Sequence, residues 1–227
     1  MALSRDQVVA TAMALLDEVG LEGLTLRRLA QELGVRAPTL YWHVRDKREL
    51  LDLMAAAIHA DSHGASLEPR PGQPWWEWLT ERTQAQFDAV VGHRDGARVL
   101  AGNRPTAEAL PASERVVGTL VHAGFPPDEA LGTILLLGHY VIGCAVEYQA
   151  EAARTRPDLD AALLHRLTEA DDLPVLKAAV TAHVEGSGEL AGRAGSFEHG
   201  LRLLVAGLRV RHAELEGARP AATVTDA

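Results

Sequence analysis

A single cysteine, Cys144, is all the thiol chemistry that this 227-residue chain contains. One thiol cannot close an intrachain disulfide, so no covalent staple holds the fold, and Cys144 is expected at a buried position in a reducing cytoplasm. Long apolar runs are missing too: the most extended, near Ile134 to Val146, is interrupted by His139 and two glycines and is too short for a bilayer. Arg5, Asp6 and Gln7 break the stretch in which an export leader would carry its hydrophobic core, so no export signal is expected. The chain has no strand-like alternation, no internal repeat, no glycine-rich phosphate loop after a strand and no metal-ligand motif. Nor do a nucleophile, a histidine and an acid recur in an identifiable arrangement, so an enzyme is not expected, and no metal or cofactor is implied by motif. What the chain has is 47% hydrophobic and 23% charged residues, which excludes a wholly disordered protein and suits a globular fold.

Positive charge is scarce, with 22 Lys and Arg against 31 Asp and Glu and a formal net charge of −9. As an average this speaks against a nucleic-acid partner, but the charge is unevenly placed. Residues 25–48 hold Arg27, Arg28, Arg36, Arg45, Lys47 and Arg48 against Glu32 and Asp46, a net of +4 that leaves −13 for the rest. Phosphate attracts a compact basic end and repels an acidic remainder, which orients the molecule on a duplex.

Helical spacing runs through the sequence. From Ser4 to Val19, apolar residues recur at Val8, Val9, Ala12, Leu15, Leu16 and Val19, with Ser4 as cap and Gly20 as stop. A second segment opens at Thr25, turns Leu26, Leu29, Ala30 and Leu33 inward and ends at Gly34, where a permissive backbone is needed. A short third helix is predicted from Pro38 to His43 or Val44, and the spacing of Asp46 to Glu49 caps a longer one reaching about His63. Gly64 to Pro74, rich in proline, is the strongest candidate boundary. Beyond it, helices are predicted at about 75–92, 96–102, 107–124, 128–154, 166–180 and 196–215. The expected fold is all-α: a three-helix head with a helix-turn-helix over 1–48, a connecting helix over 49–63, a larger helical body over 64–218, and a disordered tail over 219–227.

The segment from Gly34 to Val44 turns tightly and then exposes polar and aromatic groups, the plan of a helix that reads a DNA groove. Arg36, Ala37, Thr39 and Trp42 are expected near base edges, with Tyr41, His43 and Lys47 near phosphates. Thr25 and Arg27, at the start of the preceding helix, add phosphate contacts. Tyr41 and Trp42 have a second reading, as anchors against the following helix.

The runs Ala14 to Thr25, Leu29 to Val35, Pro38 to Val44 and Lys47 to Asp52 resemble the tetracycline repressor (TetR) family. The likeness continues through His93-Arg94-Asp95-Gly96-Ala97, Gly102-Asn103-Arg104-Pro105-Thr106 and Gly138 to Cys144, and weakens in the last 75 residues. It implies a homodimeric transcriptional repressor that binds a palindromic operator and releases it when a small molecule enters the C-terminal body. A three-helix head alone offers little surface for specific binding, so duplication is physically sensible. An activator, or a dimeric scaffold that has lost DNA binding, is the alternative. Leu131, Ile142 and Val146 of one long apolar helix, with Leu201, Leu204, Val205 and Leu208 of a late one, are expected at the dimer interface; an intramolecular core of the same helices is the other possibility.

Polar groups embedded in the apolar body are candidates for an effector site: His63 at the end of the connecting helix, His139 and Glu147 on one face of the long helix, and the Arg104-Pro105 turn beside Asn103. Gln86, Leu100, Val116 and Leu135 are expected to line the cavity, although periodicity does not separate lining from core. The resemblance also implies a drug held as a magnesium chelate. Leu100 occupies the position of the metal-binding histidine, and Arg82 that of a drug-gripping asparagine. Leucine cannot ligate a hard cation, so the expected effector is an aromatic or polycyclic, oxygen-rich or acidic molecule bound without a metal. Trp75 and Trp78 share a face and are expected in the core or over the pocket, with Trp76 nearer the surface.

Overall fold

The computed structural model describes residues 3–62, 66–153, 162, 165–169, 172–187 and 193–218. Among these residues all regular secondary structure is helical. Helix α1, Arg5–Gly23, starts with a reciprocal cap in which Ser4 Oγ accepts the Gln7 amide at 3.2 Å and the Ser4 amide donates to Gln7 Oε1 at 3.0 Å. Its regular course breaks at Gly20, whose φ of +70° is poorly accessible to other residues. Thr25 caps α2, Leu26–Glu32, by accepting the Arg28 amide at 3.1 Å. Gly34, at φ +65°, then turns the chain into α3, Ala37–Leu40.

Helix α3 is shorter than the sequence suggests. The chain continues to Val44 as turns, with the His43 and Val44 amides both donating to the Leu40 carbonyl, at 2.9 and 3.1 Å. The reason lies downstream: Asp46 adopts an extended conformation so that its Oδ1 accepts the Glu49 amide at 2.8 Å, and a helix cannot run through a residue that caps the next one. That next helix is α4, Lys47–Asp61. Leu16, Leu29, Leu40, Val44, Leu50 and Met54 form the core of the head, with Leu26, Leu33 and Val35 half-buried around it.

The body comprises α5 (Trp75–Val91), α6 (Gly96–Leu100), a 3-10 turn (Ala107–Ala109), α7 (Leu110–Ala123), α8 (Pro127–Ala152), α9 (Pro174–Ser187) and α10 (Arg193–Ala218). Two boundaries differ from expectation, both at prolines. Pro111 cannot donate to the Ala107 carbonyl, so the predicted helix over 107–124 divides into the 3-10 turn and α7. Pro174 likewise starts α9, leaving 165–168 as a separate helical turn where one helix over 166–180 was predicted. The expected tail at 219–227 lies outside the described residues.

Helix α8 has the length and apolarity of a membrane-spanning segment, but its inner side, Ala130, Thr133, Leu137, Val141 and Ala145, is buried against the body. Trp78, Leu79, Phe87 and Val90 of α5, Leu120 of α7, and Phe197 and Leu201 of α10 complete that core. Phe87 stacks on Phe197 with centroids 4.0 Å apart, and Tyr140 stacks on the same ring at 5.3 Å. The Tyr140 hydroxyl donates to the Phe197 carbonyl at 2.8 Å; burial, aided by the neighbouring thiol of Cys144, pushes its pKa up to about 12. Cys144 itself is half-buried rather than buried. Trp75 and Trp78 are core residues, whereas half-buried Trp76 lies under the Arg209 guanidinium, 4.7 Å from its ring centre.

Gly96, the first residue of α6, is buried, and a Cβ there would overlap the Val90 carbonyl oxygen. The Gly96→Ala variant is expected to lose about 1–3 kcal/mol from backbone displacement, against at most about 1 kcal/mol gained from helix propensity. Urea unfolding midpoints test this; an unchanged or raised midpoint would mean that the turn opens without cost.

Candidate nucleic-acid interface and effector site

Apart from the buried Leu40, the short α3 leaves its side chains in solvent. Arg36, Ala37 and Thr39 are exposed, Tyr41 is 53% exposed and Trp42 88%. That exposure removes the reading of Tyr41 and Trp42 as packing anchors. Arg27 is also exposed, and among the described residues no carboxylate lies within ion-pairing distance of Arg27 or Arg36. Thr25 is exposed, with its hydroxyl engaged as the α2 cap. His43 is half-buried, and its carbonyl accepts Arg5 Nε at 3.4 Å.

Lys47 is placed differently from expectation. Its Nζ donates to the Leu21 carbonyl at 3.1 Å, tying α4 to the end of α1, so its ammonium serves the packing of the head before any phosphate. Arg5 has a role that the sequence did not signal: Nη2 pairs with Glu49 at 3.1 Å, fixing the start of α1 to the start of α4 across the turn that carries Tyr41 and Trp42. The Glu49 carboxyl is held below its ordinary range first by the Arg45 amide, which outweighs the opposing burial, and then by the Arg45 and Arg5 guanidinium groups.

A second set of contacts joins head to body. Asp95, in the left-handed region at φ 57°, accepts the Leu21 amide on Oδ2 at 2.8 Å. Asp17 accepts the Arg94 amide at 3.0 Å and pairs with His93 Nδ1 at 3.0 Å, while Arg94 Nη1 donates to the Glu18 carbonyl at 2.9 Å. Arg98 bridges Glu22 at 2.6 Å and Asp95 at 3.2 Å. From the other side, Gln149 of α8 donates to the carbonyls of Val90 and His93 at 3.3 and 2.8 Å and accepts the Ala97 amide at 3.4 Å. The turn between α5 and α6 is therefore held by α8 and in turn holds α1. On the opposite side of α6, Asn103 donates to the carbonyls of Leu51, at 3.3 Å, and Val99, and Arg48 donates to that of Gly102.

The expected effector residues fall into separate groups. Leu100 and Val116 are buried, each 4% exposed. Arg82 and Gln86 are half-buried one turn apart on α5; Gln86 Nε2 lies 3.5 Å from His59 Nδ1 of α4, and Arg82 Nη1 is sealed from solvent without a hydrogen-bond partner. Asn103 is spent on clamping α4 to α6 through its amide nitrogen, while its buried Oδ1 has no partner. Arg104 and Pro105 are exposed, and His63 lies outside the described residues. Leu135, His139 and Glu147 are a correction: they are exposed on the outward stripe of α8 with Leu131 and Val146, so they do not line the interior of one protomer. Two surface grooves, of about 330 and 760 Å³, contain none of the expected effector residues.

Leu100 has no lone pair to offer a hard cation, and Glu147 faces outward on α8.

The expected dimer face also needs correction on α10. Leu201 and Val205, 1% and 7% exposed, are spaced four apart from Phe197 and belong to the protomer's own core, with Leu204 and Leu208 half-buried beside them. The outward apolar residues of α10 are Leu203 and Val210, each 62% exposed. On α8, Leu131 and Val146 are exposed and Ile142 is half-buried, and Leu136 joins them.

A helix-turn-helix head with exposed aromatics in the turn after its short third helix, tied by hydrogen bonds and ion pairs to a separate helical body, defines a DNA-binding regulator. Residues 8–54 match the family model of bacterial regulatory proteins of the tetR family, and 68–212 match the tetracyclin repressor-like C-terminal domain. The class A tetracycline repressor from transposon 1721 of Escherichia coli is 37% identical over 210 residues, 92% of each chain. Two solved structures are similar over nearly the whole chain. A TetR variant from Acinetobacter baumannii AYE in complex with minocycline aligns with a TM-score of 0.72 and 32% identity, over 92% of this chain and 98% of that one. ActR from Streptomyces coelicolor in complex with actinorhodin aligns with a TM-score of 0.78 and 29% identity, over 93% and 99%. The chain belongs to the tetR family of bacterial regulatory proteins, and its function is ligand-responsive transcriptional repression through DNA binding.

Burial raises the Asp95 pKa, but the Leu21 amide and then Arg98 and Arg94 outweigh it and hold the carboxyl below its ordinary value. A group depressed on folding stabilises fully above its unfolded pKa and loses that contribution as pH falls through the folded value. Removing Asp95 as Asp95→Ala is expected to cost about 1–2 kcal/mol at neutral pH and to make the loss of stability below about pH 4 shallower than in the parent. Urea midpoints of both proteins at neutral and acidic pH check this; parallel pH profiles would remove the carboxylate from the account.

Proposed function

We propose that the protein is a homodimeric repressor that reads a palindromic operator through α3 and its following turn, and releases it when a small aromatic or polycyclic effector enters the helical body. The observation that carries the reading is Trp42, 88% exposed next to Tyr41 at the tip of the only strongly basic segment. A large apolar ring left in water is costly unless a partner covers it. Arg27, Arg36 and Thr39 of the same segment are exposed and offer the donors that a groove and its phosphates require.

Dimerisation is supported by the outward stripes of α8 and α10. Leu131, Leu135, Leu136 and Val146, with Leu203 and Val210, are between 41% and 62% exposed and await cover. A symmetric pair of chains carries two heads, which suits half-sites about one helical turn of DNA apart, or a multiple of it. The effector acts from the body through α6, which is held between α8, by Gln149, and the head, by Asp95. Only an effector that binds one arrangement of these elements more tightly than the other shifts the equilibrium. The related structures, with minocycline and with actinorhodin, support a polycyclic oxygen-bearing class of effector for this body.

Trp42→Ala is expected to weaken binding to an operator selected from a randomised duplex pool by about 1–3 kcal/mol, with the thermal midpoint unchanged because the side chain is solvated in the free protein. Fluorescence anisotropy of labelled duplex, read beside a melting curve, separates the two effects; full affinity in the variant would sink the assignment of the reading surface. Leu135→Glu combined with Leu203→Glu is expected to shift the protein from dimer to monomer in sedimentation velocity. A dimer that survived both charges would place the interface elsewhere.

A further inference from the structure

We infer that Glu49, acting with Arg5, is the positioning residue of the DNA-reading turn: an acid beside a DNA-facing surface that strengthens operator binding by holding Tyr41 and Trp42 in place. This rests on the reading of that turn as the operator-contacting surface and adds what fixes its shape. Tyr41 to Arg45 belong to neither α3 nor α4, and Leu40 and Val44, each 1% exposed, pin the segment to the core. Two side chains from other elements hold its far half. Glu49 Oε2 accepts the Arg45 amide at 2.7 Å and Arg45 Nε at 3.1 Å, while its Oε1 accepts Arg5 Nη2 at 3.1 Å. Arg5 Nε in turn donates to the His43 carbonyl at 3.4 Å. The backbone on both sides of Val44 is thereby tied to one carboxylate, directly from α4 and through Arg5 from α1.

An acid at this place runs against simple electrostatics. Glu49 follows the basic stretch 25–48 and engages two guanidinium groups that phosphate would attract. The Arg45 amide, ahead of the two arginines, holds its pKa below the ordinary range, so it meets DNA as an anion. As a charge it weakens binding, yet its two oxygens serve three donors around the turn. The cap of α4 is already supplied by Asp46, whose Oδ1 accepts the Glu49 amide at 2.8 Å, and this leaves the Glu49 carboxylate to reach back. Rings that project into water lose freedom when DNA covers them, and a turn ordered beforehand lowers that cost.

The test measures the affinity of the full-length protein and its variants for the operator selected from a duplex pool, by fluorescence anisotropy, with melting curves recorded alongside. Glu49→Ala and Glu49→Gln remove the same charge, so relief of repulsion alone makes both bind more tightly and to the same extent. Positioning predicts the reverse. Glu49→Ala is expected to weaken binding about tenfold, and Glu49→Gln, which keeps an acceptor for the Arg45 amide, to lie between it and the parent. Arg5→Gln is expected to weaken binding with the salt dependence unchanged, whereas loss of an arginine that itself contacts phosphate lowers the log–log slope by about one. With Trp42→Ala already in place, Glu49→Ala is expected to cost about threefold or less, because the main ring that it positions is gone. Operator binding by Glu49→Ala as tight as the parent's or tighter, equal effects of Ala and Gln, a shallower salt slope in Arg5→Gln, or an undiminished loss in the Trp42→Ala background would each overturn the assignment. A role in helix stability alone would lower the melting temperature and spare the affinity of the folded protein, which is the first of those results. If Trp42→Ala loses affinity and Glu49→Ala does not, only the positioning fails; if Trp42→Ala binds as the parent does, the reading surface fails and this inference with it.

Discussion

The amide of Leu21 has left the regular course of α1, and the Asp95 carboxylate supplies the acceptor it needs. Much of the relation between head and body follows from that bond. To make it, Asp95 accepts a left-handed backbone conformation, Gly20 must lack a side chain because a Cβ would come within 2.8 Å of the same carboxylate, and Arg98 must balance the charge. The other end of the constraint is Gln149, whose amide group occupies both backbone carbonyls and an amide of the α5–α6 turn. Gln149 and Asp95 thus link α8 to the last turn of α1 through a short chain of hydrogen bonds.

Helix α8 divides its labour unusually by size. Its inner stripe is built from small or β-branched residues, Ala130, Thr133, Val141 and Ala145, with Leu137 as the one large member, while its larger leucines stand outside. Small inner residues bring α8 close to α5 and α6, which is what lets Gln149 reach main-chain atoms. The outer leucines hold the greater part of the unsatisfied apolar surface, and each large side chain covered contributes roughly 1.5–3 kcal/mol. Such a helix is half a core in one chain and half a core between two chains, in keeping with the proposed dimer.

The head was legible because its determinants are local. Ser4, Thr25 and Asp46 cap helices within three residues, and Gly20 and Gly34 turn the chain where they stand. The body was legible in its elements and less so in its faces. On α10 both Phe197–Leu201–Val205 and Leu203–Val210 have helical spacing, and it is the rings of Phe87 on α5 and Tyr140 on α8, stacked on Phe197, that mark the inward stripe. On α8 the polarity of His139 and Glu147 marked them as candidates, but sequence spacing alone did not show that they and Leu135 stand on the outward stripe of the helix. Asp17 and His93 are 76 residues apart, and Gln149 is 56 from His93, so no window along the chain connects them. Arg82 stood out in the sequence as a substitution at a familiar position; that its Nη1 is buried and unpartnered is visible only in three dimensions.

The four tryptophans are distributed so that light can tell the two ends of the molecule apart. Trp75 and Trp78 are enclosed in the body and Trp76 lies beneath Arg209, while Trp42 stands in water at the tip of the head. An indole in water emits at longer wavelength than an enclosed one, so the red edge of the protein's own emission belongs to the DNA-facing end and the blue edge to the ligand-holding end. The chain carries its own pair of reporters, and the order in which the two edges respond to a ligand records the direction in which the signal travels.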